Sequence, residues 1–394
     1  MGSAIGFVTV SNAAAPDGFC TGESMKLREL ETYTRGHLSF VKARADDGAE
    51  GIGQISTFNA DISATVFHRQ VAPHAIGAEL AGLADVEALL ARILEAEYKY
   101  PGSYVRRALG GLETALLDLL AKAAGVGVCE LLGGRRRPVA AYGSSMRRDI
   151  APADEADRLA RLRDEKGFGA FKVRIGKVNG HDGDSSPGRT EELVPAVRKA
   201  IGEDVRLLVD ANSCYTPAKA IEVGRMLEDN GVCHFEEPCP YWQYEWTAEV
   251  AAALDVPVAG GEQDCFLPGW RRMIAMRAVD VVQPDILYIG GVTRAAAVAA
   301  MAAEANMPCV PHSANLSLVT LFTLHLLAAI PNAGPYVEFT IEPDDWSRSA
   351  YRPHLEVRDG RVEIPSGPGW GVELEAAWLA KADRQVSSQA AGTA

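Results

Sequence analysis

Apolar and polar positions alternate through LRELETYTRGHLSFVKARADDGAEGIGQIS, from Leu27 to Ser56, which is the period of half-buried strands. The alternation breaks at Arg35-Gly36 and at Asp46-Asp47-Gly48, the second a good hairpin signal. From Asp85 the period lengthens: VEALLARILEAEY and LGGLETALLDLLAKAAG carry apolar residues at i, i+3 and i+4, and Gly125 marks a stop. The first third reads as a sheet followed by helices, an α+β arrangement. Beyond Arg135-Arg136-Arg137-Pro138, short apolar runs alternate with helical stretches: VAAYGSS, GAFKVRI, VRLLVDAN, CHFEEP, PVAGGE, DVVQPD, PCVPHS and YVEF. One of those helices, TPAKAIEVGRMLEDNG, has Thr216 at its N-cap, Pro217 at its first position and Gly231 at its exit. Eight strands with intervening helices over about 200 residues predict a parallel α/β barrel.

Three segments fall outside that pattern. Lys177 to Arg189 is a polar, Gly-rich insertion after the second barrel strand. LEVRDGRVEIPSGPGWG returns to hairpin texture, and SSQAAGTA is polar and small. The expected organisation is a flexible extension over 1–24, an α+β unit over 25–137 and the barrel over 138–350. A segment over 351–382 returns to the first unit, and 383–394 form a disordered tail.

Composition adds boundaries. The chain has 394 residues, 47% hydrophobic and 23% charged, which are globular values. A formal charge of −13 argues against a nucleic-acid or anionic-membrane surface. No run approaches the ~20 consecutive apolar residues of a membrane helix. MGSAIGFVTVSNAAAPDGFC has no basic residue, so it lacks the positive region of a signal peptide. Seven scattered cysteines without a CxxC pair fit a reducing compartment, so a cytoplasmic protein is expected.

The chemistry sits at the strand ends. Following Lys172 and Arg174 come Asp210, Glu236, Glu262, Asp285, His312 and Glu338, at successive intervals of 26, 26, 23, 27 and 26 residues from Asp210 onward. Polar residues that recur once per β/α unit face one mouth of the barrel, where barrel enzymes carry their active sites. Asp210, Glu236 and Glu262 come from consecutive strands, and three carboxylates at close range repel unless a cation neutralises them. An all-oxygen carboxylate set favours Mg²⁺.

Lys172 and Arg174 are two residues apart on one strand, so both point to the interior, where binding a carboxylate gives a buried pair of cations a purpose. Asp285 and His312 lie on successive strands, where the carboxylate can orient one ring nitrogen and leave the other as a base. Glu338 can hydrogen-bond a substrate carboxylate only when protonated, and otherwise orients a cation. Cys214, Cys239 and Cys265 follow the carboxylates and offer a softer zinc reading, which the hard oxygen set disfavours. Gly290-Gly291 before a helix resembles a phosphate-binding loop only weakly.

Together FKVRIG, VDAN, FEEP, GGEQ, QPD, PHSAN and VEF, with ALGGLETALLDLLAKAAG and CELLGG upstream, resemble the mandelate racemase subgroup of the enolase superfamily. The resemblance implies a modified (β/α)7β TIM barrel beneath an N-terminal α+β capping domain. It further implies Mg²⁺ on Asp210, Glu236 and Glu262, and abstraction of a proton α to a carboxylate to give a metal-stabilised enediolate. Asn212 of VDAN is then a substrate-binding candidate. In the capping domain the first lid, at Arg35-Gly36, is very short, so Phe58, Asn59 and His68 of the second lid (55–71) are the candidates there.

One departure matters. Where the subgroup's racemase has a second lysine as base, this chain has Arg174, a poor base near neutral pH. His312 is left as the clear base, which favours β-elimination of water from an acid sugar to a 2-keto-3-deoxy acid, a hydro-lyase reaction of carbohydrate catabolism. Alternatives are a racemase or epimerase of a 2-hydroxy or amino acid derivative, and a non-catalytic barrel that binds metal and sugar acid. The resemblance also implies a homo-oligomer, dimer or octamer.

Overall fold

The computed structural model describes residues 24–388. All but the last residue of the extension expected over 1–24, and residues 389–394 of the expected tail, lie outside the described residues.

Strands Met25–Arg35, Leu38–Ala45 and Glu50–Ile55 form an antiparallel meander, with turns at the two breaks in alternation. Helix Ser103–Ala123 lies across it. Its approach depends on small residues: a Cβ on Gly53 would stand 2.4 Å from the backbone nitrogen of Ala115. With nearly every residue of the helix from Val105 to Ala121 buried, it forms the joint between the sheet and the barrel.

Asp383–Ser388 correct one expectation. They are no disordered tail but the edge strand of this sheet, antiparallel to Met25–Arg35 with Leu30 opposite Ser387 and Thr32 opposite Gln385. Arg384 pairs there with the buried Glu31. The segment is polar and exposed, so it has no hydrophobic pattern to betray it. Its backbone satisfies an edge that would otherwise stand open.

The barrel strands are Val139–Ser144, Ala170–Arg174, Arg206–Asp210, Val232–Glu236, Val258–Gly260, Val281–Val282 and Tyr336–Thr340, all parallel. The position between the last two narrows to isolated bridges, Cys309 to Val282 and to Ala333. Seven main helices separate these eight positions, from Pro152–Lys166 to Leu318–Leu327. The chain is thus a modified (β/α)7β barrel capped by an α+β domain. Inside the barrel, Tyr142, Ala170, Leu208, Ala259, Val281 and Val310 form a small apolar cluster of their own. Several of its members lie two residues before a polar strand-end residue, hence on the same interior face one layer below it.

The stretch after residue 350 serves both units. Arg361–Val362 pairs antiparallel with the start of the first barrel strand, and Trp370 enters the cap, donating from Nε1 to Ile52 O at 3.1 Å and Thr114 O at 3.0 Å. The polar insertion is tied down too: Asp182 accepts from the backbone nitrogen and hydroxyl of Thr216, at 2.7 and 3.0 Å. Thr216 stands at the N-cap as expected, with its hydroxyl committed to Asp182. No helix among the described residues is long and apolar enough to cross a membrane.

Candidate active site

Parallel register sets the strand ends side by side, Arg174 opposite Asp210 and Asp210 opposite Glu236. A bridge joins Asp285 to His312. Lys172, Arg174, Asp210, Glu236, Glu262, Asp285, His312 and Glu338 are all buried. Lys172 Nζ lies 2.8 Å from each oxygen of Glu236, 2.9 Å from Glu338 Oε1 and 3.8 Å from Asp210 Oδ2. Arg174 pairs with Asp210.

These contacts set the charges. Burial alone would neutralise Lys172, but Glu236 and Glu338 hold its pKa above the usual lysine range. Burial likewise opposes ionisation of Glu338, yet Lys172 and then His312 bring it down to about 2. An ionised Glu338 accepts from Ser144 Oγ at 2.8 Å and Ser313 N at 3.0 Å, and orients Lys172. Of the two roles open to Glu338 from sequence, the geometry supports the cation-orienting one.

His312 is oriented by Asp285. Its Nδ1 is 2.8 Å from Asp285 Oδ2, while Asp285 Oδ1 accepts from Leu287 N at 2.8 Å and Tyr288 N at 2.9 Å. The carboxylate is thereby fixed to backbone on one side and fixes the ring on the other. Nε2 lies 3.1 Å from Glu262 Oε2. Burial lowers the imidazole pKa, but the Glu262 charge and the Asp285 hydrogen bond outweigh it and raise the value to about 10.

Among the described residues no three His, Cys, Asp or Glu side chains surround one point as a metal needs. The reason is local: Lys172 occupies Glu236 and Arg174 occupies Asp210. The donor chemistry nevertheless fits a hard divalent ion. Asp210, Glu236, Glu262, Asp285 and Glu338 face three cations, Lys172, Arg174 and His312, and two negative charges are left over. Glu262 Oε2 is buried without a hydrogen-bond donor, since its approach to His312 lacks the alignment of a hydrogen bond. Asp210, Glu236 and Glu262 are the carboxylates that could hold such an ion.

The remaining candidates divide. Asn212, in the left-handed region at φ 42°, is committed to the site itself. Its amide donates to Asp210 Oδ2 at 3.2 Å, and its Oδ1 accepts from Arg148 at 2.7 Å and Arg174 at 3.3 Å. Phe58 and Asn59 form a left-handed turn at the rim, where the exposed Phe58 ring is 5.0 Å from His37 and His37 is 5.7 Å from Trp346 of the barrel. His68, expected as a substrate contact, does not join them. Both its ring nitrogens are engaged at 2.8 Å, by Thr32 Oγ1 and Ser387 Oγ, so neither is left for a ligand.

Sequence reasoning passed over three residues. His234 and Gln283 reach Glu236 Oε2 at 3.2 and 2.9 Å, and Arg148 holds Asn212. The first two stand two residues before Glu236 and Asp285, so the strand period itself was the available signal. The three cysteines weighed for zinc are buried and free. At Gly290-Gly291 the helix start is filled by the chain's own Glu113, which accepts from Val292 N and Thr293 N at 3.0 and 2.7 Å.

Comparison with known proteins shows the family of the chain. Arabinonate dehydratase of Saccharolobus solfataricus is 31% identical over 303 residues, 74% of this chain and 78% of that protein. A crystal structure from Roseobacter denitrificans, described without firm assignment as a racemase, is 54% identical with a TM-score of 0.90, covering 93% of this chain and 100% of that one. L-talarate dehydratase from Polaromonas sp. JS666, solved with Mg and L-glucarate, is 27% identical with a TM-score of 0.81 over 93% and 100% of the two chains. Residues 26–133 match the mandelate racemase / muconate lactonizing enzyme N-terminal domain, and residues 154–378 match the enolase C-terminal domain-like family. The chain therefore belongs to the mandelate racemase / muconate lactonizing enzyme family of the enolase superfamily.

Proposed function

We propose that this enzyme is a Mg²⁺-dependent acid-sugar dehydratase. The observation that carries the reading is the asymmetry of the bases: a carboxylate-oriented imidazole, His312, stands on one side, and a guanidinium, Arg174, stands where a second base would be. Relatives that dehydrate arabinonate and talarate, and the Mg and L-glucarate seen in the Polaromonas structure, support it. Asp210, Glu236 and Glu262 would hold the Mg²⁺, which would supply positive charge to the substrate carboxylate and offset the Glu262 charge that otherwise favours a protonated His312.

Lys172 and Arg174 bind the substrate carboxylate, with Glu338 orienting Lys172. His312 Nε2 takes the α-proton, and the electron pair of that C–H bond passes into an enediolate. The C–O bond at the neighbouring carbon then breaks, and the imidazolium returns its proton to the departing hydroxide as water. The enol left behind tautomerises to the 2-keto-3-deoxy acid. Asp285 stabilises the imidazolium between the two proton transfers.

The test is a pooled acid-sugar screen with Mg²⁺, read as 2-keto acid with semicarbazide, and repeated in D₂O. Keto acid from one sugar acid is the expected result. α-Deuterium exchange without elimination would instead point to the racemase reading, which the Roseobacter neighbour keeps in view.

A further inference from the structure

Three arginines gather where the cap meets the barrel mouth, and among the described residues none has a carboxylate ion-pair partner. Two are occupied by the fold. Arg106 donates to Pro101 O and Gly102 O and stacks 3.8 Å from the centroid of Phe266. Arg294 donates from Nε to Ile289 O at 2.7 Å, and burial together with the charge of Arg106 lowers it to about 10.

Arg107 is placed differently. Half-buried on the cap helix, it donates to Ser56 Oγ at the head of the second lid, and its Cζ lies 3.6 Å from the centroid of the Tyr288 ring. That ring is in turn 6.0 Å from the ring of His312. One aromatic ring thus separates the guanidinium from the base. Ser56 and Tyr288 leave donors over from the five N–H groups a guanidinium carries.

A substrate held for proton transfer to His312 has its reacting carboxylate on the floor, against Lys172 and Arg174. The rest of its chain runs away from the floor toward the cap. We propose that Arg107 receives a second carboxylate at the far end of that chain, so that the substrate is a dicarboxylic acid sugar rather than a monocarboxylic one. The proposal rests on the dehydratase reading for its chemistry but not for its binding. A planar fork beside an aromatic face matches a carboxylate bidentately, and a terminal CH₂OH would leave the charge unmatched.

The test uses matched pairs of sugar acids of one configuration that differ only in CH₂OH or carboxylate at the far carbon. The Mg²⁺-loaded wild type should prefer the diacid in kcat/KM by roughly 100-fold. Arg107→Met should raise KM for the diacid by a similar factor while leaving kcat within a few-fold, and Arg107→Lys should recover part of the loss. A preference for the monoacid overturns the proposal. So does an equal fall of kcat on both acids in Arg107→Met, which is what a residue that merely positions Tyr288 would give. Calorimetric binding of each pair to the Mg²⁺-loaded protein separates the two readings. Diacid binding that is lost in Arg107→Met supports the distal site even where no water is eliminated, and equal binding of both acids overturns it.

Discussion

Lys172 Nζ stands 2.8 Å from both carboxylate oxygens of Glu236, with each side chain sealed from solvent. Removing one member of such a pair leaves an uncompensated buried charge, at a cost of about 3–5 kcal/mol. Lys172→Met should therefore melt well below the wild type in EDTA, because Glu236 and Glu338 lose their common cation. Added Mg²⁺ should raise its Tm by more than it raises that of the wild type, since Glu236 no longer has to be released. Turnover should fall at least ~100-fold for want of a carboxylate anchor. Equal Mg²⁺ shifts in the two proteins would remove Glu236 from the metal set.

The dyad makes a second, separable prediction. His312→Asn should lower kcat by about 10³-fold and abolish α-proton exchange in D₂O, since a positioned base contributes roughly 10²–10⁴-fold. Asp285→Asn keeps an oxygen for the backbone N–H groups of Leu287 and Tyr288 but gives up the charge that favours the imidazolium. A smaller loss, on the order of 10²-fold, is expected of it with the same Tm. Exchange that survives in His312→Asn would move the base to another side chain.

The barrel and its ladder were legible because one β/α unit repeats, so strand ends return at nearly constant intervals and the same chemistry recurs with them. Which partner each group chooses was not. Whether Glu338 is protonated depends on an ammonium 2.9 Å away on a strand 166 residues earlier in the chain, and no local pattern encodes that. His68 failed as a ligand for a similar reason: its partner Ser387 belongs to an edge strand whose polar sequence looks like a tail. Arg107 stands two residues ahead of the helical pattern that begins at Leu109, and nothing local in the sequence marks its contact with Tyr288, which forms only when the cap is laid on the barrel.

Glu113 ties stability to pH. Its carboxylate is fully buried at the start of helix Val292–Glu304, and Gly291 is needed there, because a Cβ at that position (φ +129°) would lie 2.6 Å from Glu113 Cδ. Burial raises the carboxyl to about 7, and the two backbone N–H groups offset only part of that. A folded pKa above the unfolded one means the contribution is complete below about 4.5 and is lost as pH rises through about 7. Between pH 5 and 8 the wild type should lose up to roughly 3 kcal/mol that Glu113→Gln does not lose. Thermal melts across that range decide it. Parallel slopes for the two proteins would show that another group governs the dependence.

Asp118 gives the last prediction, about how the chain's end is fastened. One carboxylate, wholly buried on the cap helix, accepts from Ile52 N and Trp370 N at 2.8 Å each and pairs with Lys122 Nζ at 2.6 Å. Cap sheet, cap helix and C-terminal segment therefore meet on one side chain. Asp118→Ala would leave two buried N–H groups without acceptors, at about 1–3 kcal/mol each, besides the loss of the ion pair. A Tm drop of about 5 °C is expected for a chain of this size. Asp118→Asn, which keeps an acceptor, should lose less, and kcat below the transition should hardly change because Asp118 lies outside the barrel mouth. A drop under about 2 °C in Asp118→Ala would mean that Trp370 is held by its ring packing against Phe322 and His325, and by its own Nε1 bonds to Ile52 and Thr114, without need of the carboxylate.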